Sequence, residues 1–411
     1  MDKDLKASDI SEENLVFTKP FTQQEPIPEE AISRAVEVMR TGRLHRYNTV
    51  SGETSEVSLL EKEFAEYMGA RYCAAFSSCG SSIYIALKSV GVLAGDKVLC
   101  NAFTLAPVPG AISNAGAEAV LVEIKQNYTI DCRDLEAKAE ASGAKFLLLS
   151  HMRGHIADMD EVMAVCERQG LILVEDCAHT AGCHWGDVPT GRFGKAGCFS
   201  TQTYKHMNSG EGGLLITDDD DTAAKAILYS GSYMLYDRHV SRPPEEVFAR
   251  FKKITPNFSL RMSNLQGALL RPQLRMLDQQ CERWNSRYKA VEKVLLGQER
   301  IYVPERPPKE HYVGSSFQFS LKEVSREQVQ EFIAECGHRG VEIKWFGWKE
   351  PKGFTSSYDS WQYLGRIPDL PKTREILDSM CDFRIPLTFD EADCELIGKI
   401  ICQVALEVFQ Q

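Results

Sequence analysis

Short apolar runs at 72–76, 97–101, 119–124, 145–150, 171–175 and 198–201 alternate with stretches of helical periodicity, and this rhythm restricts the fold more than any other feature of the chain. Runs of four to six residues suit strands, and the segments between them are long enough for crossover helices. The arrangement predicts a mainly parallel sheet covered on both faces. The helices are legible in their punctuation. One spans 81–90 after a Gly/Ser turn, one spans 106–115 with two early prolines, and one spans 160–169 and ends at Gly170. Two amphipathic helices, 27–40 and 56–68, precede the sheet, the second with Val57, Leu60, Phe64 and Met68 on one face. In such a sheet, ligands bind at the carboxyl ends of the strands.

Beyond Gly213 the run LLIT reads as a strand, and the four aspartates at 218–221 read as an acidic helix start rather than a metal site. A long helical pattern over 260–296, expected to break near Pro272, leads to a C-terminal part. That part has strands at 316–321 and 340–344 and helices at 326–336 and 391–408. The predicted division is an N-terminal arm (1–22), a large α/β domain (23–275) and a small α+β domain (276–411). The arm is polar and acidic and reads as an extended arm or a poorly ordered end, with a crossing to another subunit as a further option.

With 411 residues, 43% of them hydrophobic, the chain can bury a large core. A net charge of −11 opposes a general nucleic-acid or anionic-membrane surface. No apolar run approaches the roughly 20 residues of a spanning helix. The N-terminus has neither a basic start nor an apolar core, so a cytoplasmic location is expected. The 13 cysteines are scattered without metal-ligand or disulfide spacing and read as reduced, buried thiols.

The chemistry begins at LILVEDCAHT, a strand that leaves Glu175 and Asp176 at its carboxyl end. Downstream, GKAGCFSTQTYKHMNSGEGG brings another strand, then Lys205 and a glycine-rich loop. A buried lysine is the group needed for a Schiff base. A carboxylate is the group needed to keep a pyridine nitrogen protonated, and the pair suits pyridoxal 5′-phosphate (PLP). An ordinary ion pair is the rival reading. The neighbourhood favours the cofactor: the turn SCGSSI opens a helix and offers the amides of Gly80 and Ser81 to a phosphate. Ser200 can add a hydroxyl, and Phe103 in NAFTLAP follows a strand where a ring could stack on the pyridine.

The stretches VEDCAHT, GCFSTQTYK, SGEGGLLIT, RMSNLQGALLRPQL and HMRGHIADMD resemble those of the DegT/StrS-like aminotransferases over about residues 25–400. The resemblance implies an α/β fold of the fold-type I PLP enzymes, with a mixed, mainly parallel seven-stranded sheet and a small C-terminal domain. It implies PLP covalently held by Lys205, Asp176 at the pyridine nitrogen and His179 near the ring's phenolic oxygen. Ser200, Gly80 and Ser81 would hold the phosphate and Phe103 would stack on the ring. The implied unit is a homodimer, with Asn257 or Ser259 completing the neighbour's phosphate site. The implied reaction moves an amino group from glutamate or glutamine to a keto sugar, cyclitol or related carbonyl. A PLP-dependent lyase, dehydratase or epimerase and a non-catalytic PLP-binding regulator are the alternatives. Related sugar dehydratases carry histidine at the Schiff-base position, where this chain has Lys205.

Two stretches depart from the family pattern. SCGSSI replaces a turn like SGTAAL, and PNFSLRM replaces one like GYNYRM. The aromatic-rich segment with Trp345, Trp348 and Trp361 matches no sugar-binding pattern, and these rings either line a substrate entrance or pack the small domain. His151 and His155, four apart, are weighed as metal ligands and set aside, so no metal is expected. Arg153 or His155 is instead a candidate for substrate contact. His206 reads as a structural neighbour of the lysine.

Overall fold

The computed structural model describes residues 15–350 and 357–409. Seven strands form the main sheet: β1 (Tyr72–Phe76), β2 (Lys97–Asn101), β3 (Glu118–Val122), β4 (Phe146–Ser150), β5 (Ile172–Asp176), β6 (Ala196–Ser200) and β7 (Gly213–Thr217). Their order is β1-β7-β6-β5-β4-β2-β3. Only β7 runs against its neighbours β1 and β6, so the other six strands point the same way. Their carboxyl ends therefore share one edge, where β7 contributes its first residue, Gly213, paired with both Phe76 and Ser200.

Alternation along each strand divides the large core between the two faces of the sheet. Cys73, Ala75, Leu99, Leu147 and Leu149 pack with the helix Glu56–Met68 on one face. Ala74, Phe76, Val98, Cys100 and Leu148 pack with the helix Cys79–Val90 on the other. The same alternation separates the two acids of β5. Glu175 accepts the amides of Gly191, Phe193 and Gly194 and pins that loop, while Asp176 faces the strand-end cavity.

A second, antiparallel sheet holds β8 (Ile301–Tyr302), β9 (Ser316–Leu321), β10 (Lys344–Trp345) and β11 (Met380–Arg384), in the order β8-β9-β11-β10. Its core includes Phe317, Phe319, Phe332, Phe383 and residues of the helix Glu391–Phe409. Residues 15–22 belong to this core: Phe17 and Phe21 are buried edge-on against Phe389 and Phe383 of the same chain. That is a docked segment rather than a free arm, and residues 1–14 lie outside the described part.

Two boundaries differ from the sequence reading. Pro272 lies within the helix Asn264–Arg275, and the break falls at Met276, whose backbone (φ −99°, ψ −2°) ends that helix and starts Leu277–Leu295. Proline removes one helical hydrogen bond, and here the helix continues for three further residues before stopping. Residues 340–343 are not a strand. The amides of Gly340 and Val341 bond back to Gly337 and Cys336, closing the preceding helix, so β10 is left with two residues.

The aspartates at 218–221 do structural work. Asp219 caps the helix Asp220–Gly231, and the four pair with Arg192, Lys195, Arg71 and Arg250. Among the described residues no helix is long and apolar enough to cross a membrane.

Candidate active site

At the carboxyl edge of the main sheet lies a cavity of about 410 Å³, within the usual range for small-molecule sites. Asp176, His179, Ser200 and Lys205 all reach it, together with Gly80. They arrive from three places: the ends of β5 and β6, the loop after β6, and the start of the helix after β1.

The Lys205 amine is buried, and its Nζ lies 2.8 Å from His179 Nε2. Burial, and then the nearby Arg153 charge, lower the lysine to about 7. Burial, reinforced by Lys205, holds His179 well below the ordinary histidine range, so its imidazole is neutral and can accept from the amine. Asp176 is raised by burial, and hydrogen bonds oppose this: Ser150 Oγ donates to Oδ2 at 2.7 Å and the Ala178 amide donates to Oδ1 at 3.1 Å. The positive charge of Lys205 adds to that opposition.

The helix start after β1 turns backbone amides toward the cavity. Ser78 caps it, its Oγ accepting from the Ser81 amide at 3.1 Å, and the first helical bond runs from Ser82 to the Ser78 carbonyl. The amides of Cys79 and Gly80 thus remain as the donors of the first turn. This corrects one sequence assignment. Gly80 is on the cavity wall, but the Ser81 amide is committed to the cap, and Ser78 and Cys79 line the cavity in its place. The helix start can sit this close because β7 begins with glycine: a Cβ on Gly213 would fall 2.3 Å from the Ser78 carbonyl oxygen.

Phe103 is a second correction. It is wholly buried, edge-on to Phe346 at 5.2 Å and Tyr128 at 6.4 Å, and is not on the cavity wall. The Asn101 side chain donates to the Phe103 and Ser150 carbonyls and curls the chain after β2, so the ring turns into the core and Leu105 lines the cavity. Asn257 is exposed and outside this chain's own cavity, its Oδ1 accepting from the amide and hydroxyl of Ser259, which has φ +55°.

The remaining candidates separate cleanly. Arg153 lines the cavity. His155 bonds Gln318 and points elsewhere, while His151 contacts Glu175, so the two histidines do not converge. His151, Glu175 and Cys177 do come within 4.8 Å of one another. However, both Glu175 oxygens already accept amides, and burial holds the Cys177 thiol protonated. His206 bonds the Ala181 carbonyl and packs on Trp284, as a structural neighbour would. Trp345 packs on Trp348, and Trp361 is in the large core; none of the three lines the cavity. Residues 351–356 of the aromatic-rich segment lie outside the described part.

Sequence reasoning missed Ser150, Tyr204 and Arg384. Ser150 had a signal, since it closes β4 directly opposite Asp176 in parallel register. Arg384 comes from the second sheet, and nothing local in the sequence announces it.

The model of the DegT/DnrJ/EryC1/StrS aminotransferase family matches residues 26–399. The spore coat polysaccharide biosynthesis protein SpsC of Bacillus subtilis is 32% identical over 61% of this chain and 63% of its own length, so the aligned part is under two thirds of that relative. A pleiotropic regulatory protein of Geobacillus stearothermophilus is 29% identical over 77% of this chain and 80% of its own. The L-glutamine:scyllo-inosose aminotransferase of Streptomyces griseus is 33% identical over 48% of this chain and 47% of its own. Among solved structures, 3-amino-5-hydroxybenzoic acid synthase superposes with a TM-score of 0.80 at 21% identity, covering 94% of this chain and 99% of that one. A Streptococcus pneumoniae protein in a PLP form superposes with a TM-score of 0.79 at 17% identity, covering 95% and 100%. These likenesses show the fold, and the family match over most of the length shows that the chain belongs to the DegT/DnrJ/EryC1/StrS aminotransferase family.

Proposed function

We propose that this protein is a PLP-dependent aminotransferase that moves an amino group from glutamate or glutamine to a keto sugar, cyclitol or related small carbonyl compound. The observation that carries the reading is Lys205: a buried amine lowered to about 7, in one cavity with Asp176 and an anion-binding helix start.

The residues present fit the cofactor. Lys205 is the amine to hold it covalently, the amides of Cys79 and Gly80 with Ser200 suit its phosphate, and Asp176 suits its ring nitrogen. Bound there, PLP would supply the electron sink for carbon–hydrogen cleavage. Lys205 would carry the proton, and its lowered pKa keeps much of the amine neutral near pH 7. His179, neutral and 2.8 Å from Nζ, holds that amine in place. Ser150 orients the carboxylate of Asp176.

We also place the chain in the cytosol, in keeping with its unpaired cysteines, and divide it near residue 275 into a cofactor-binding part and a small part. Its active unit is a homodimer in which the exposed Asn257 or Ser259 completes the neighbour's phosphate site. Light scattering should report a dimer, and a fully active monomer would remove the shared contact.

The test is spectroscopic. An amino donor should bleach the bound cofactor's absorbance and release one 2-oxo acid per site, and a keto acceptor should restore it. No spectral change with any donor, alongside catalytic loss of water or ammonia from some substrate, would establish the lyase instead. A second reading, a cofactor-binding regulator, draws on the regulatory relative, and it predicts tight binding with neither outcome.

A further inference from the structure

The second sheet delivers an excess of positive charge to the cavity. Arg384 ends β11 and Asp382 lies two residues earlier on the same strand face. Asp382 is fully buried: its Oδ1 accepts from Gln318 at 2.7 Å and its Oδ2 pairs with Arg153 Nη2 at 2.9 Å. Arg153 is held in a left-handed backbone conformation (φ +58°) in the turn after β4, a strained geometry that fixes its guanidinium between the two sheets. Lys344 lies opposite Asp382 in the strand register and places a further positive charge behind this pair, outside the cavity wall.

Arg384 differs from Arg153. Its guanidinium lies 3.6 Å from the ring centroid of Tyr204, the residue before the candidate Schiff-base lysine. No carboxylate comes within ion-pair distance of it among the described residues. Arg153 and Arg384 both line the cavity that holds Lys205, Asp176 and His179. The other acid on its wall, Glu211, is exposed and pairs with neither. The cations act on each other: Arg384 disfavours the charge on Arg153, and both disfavour that on Lys344, which burial has already lowered to about 8. A half-buried guanidinium on the cavity wall, with an aromatic face beneath it and no acid beside it, is poised for an external anion. Its planar fork suits a carboxylate or a phosphate.

We propose that Arg384, with Arg153 beside it, binds an acid group carried by both partners of the reaction, so that the acceptor is an anionic carbonyl compound rather than a neutral keto sugar. Arg384 holds the donor's carboxylate in the first half of the cycle and the acceptor's carboxylate or phosphate in the second. Arg153 is the positioning residue, tied to the small sheet by Asp382. The inference rests on the aminotransferase reading and narrows its substrate class.

The test uses the PLP-loaded protein and ligands that cannot react. Calorimetry with glutarate, with inorganic phosphate and with myo-inositol reads binding without turnover. Glutarate or phosphate should bind and myo-inositol should not, and the tighter of the two anions identifies the acid group. Arg384→Gln should weaken the anion at least tenfold, and Arg384→Lys should recover part of the loss. Equal anion binding by wild type and Arg384→Gln, or none by wild type, would overturn the proposal. A parallel arm separates it from the parent reading. If donors bleach the cofactor and a neutral keto cyclitol restores it equally well in Arg384→Gln, aminotransfer stands and the anionic acceptor falls. If no donor changes the spectrum while glutarate binding still depends on Arg384, aminotransfer fails and the anion site stands.

Discussion

At the scale of single residues, the site is governed by what burial does to charge. Lys205 is lowered to about 7 chiefly by burial, so the neutral amine that attacks an aldehyde is abundant at neutral pH. The rate at which cofactor-free protein takes up PLP covalently should therefore rise with pH to about 7 and then level off, as read by absorbance and borohydride trapping. A rise continuing toward the ordinary lysine range would refute this. Lys205→Ala should bind no cofactor covalently. Asp176→Asn should retain the cofactor and lose at least about tenfold in rate, the equivalent of one charge-assisted hydrogen bond of roughly 1.5–3 kcal/mol. Unchanged kinetics would remove its role. Lys205, Asp176, His179 and Ser200 were legible because each follows or ends a strand whose direction is set by its own neighbours. Phe103 was misplaced because the Asn101 side chain, not the strand, decides where the next residues turn. Arg384 was invisible because its place depends on how two sheets meet.

At the scale of elements, the proposed phosphate site depends on a contact between the helix Cys79–Val90 and the strand β7, and its tolerance is set by one hydrogen atom. Gly213 approaches the Ser78 carbonyl and the Cys79 amide so closely that a methyl group would lie 2.3 and 2.7 Å from them. Neither is a flexible side-chain tip, so backbone must move. Gly213→Ala should shift the helix start, cost about 1–3 kcal/mol of stability and accelerate loss of the cofactor. Gly80→Ala is the comparison, since its added methyl would meet Pro107 Cβ and Ser78 Oγ at an ordinary 3.7 and 3.9 Å, and it should destabilise less. Equal melting temperatures for the two variants would refute the close-approach argument. The helix and the strand were each readable from apolar rhythm and turn residues. Their contact was not, because periodicity reports which face is buried and not which backbone lies against it. The same limit explains 340–343, where an apolar residue closes a helix end instead of entering the sheet.

At the scale of the whole molecule, stability toward acid is set by titratable groups sealed inside. Glu61 is fully buried and receives both guanidinium nitrogens of Arg46 at 2.7 Å, the Ala75 amide at 2.8 Å and a contact from His239 at 2.9 Å. Burial alone would raise it, but Arg46 and His239 outweigh burial and hold it at about 2. A depressed carboxylate stabilises the fold above its unfolded value near 4.5, and that contribution is lost as the pH falls toward 2. The histidines act earlier. Burial lowers His206 to about 4, lowers His239, and holds His155 and His179 well below 6.5. Below 6.5 the unfolded chain binds protons that the folded chain refuses, so stability must fall as acidity rises, by about 1.4 kcal/mol per pH unit for each such histidine. The melting temperature should decline gently from pH 8 to 7, where the unfolded chain still holds the proton that the lowered Lys205 gives up, and by several degrees per unit below about 6.5, well before the carboxylates titrate. Since His206 lies outside the cavity and bonds Ala181 and Ser315, His206→Gln should make the decline shallower. A melting temperature unchanged between pH 7 and 5.5, or a slope unaffected by that substitution, would show that these histidines can be protonated without opening the core.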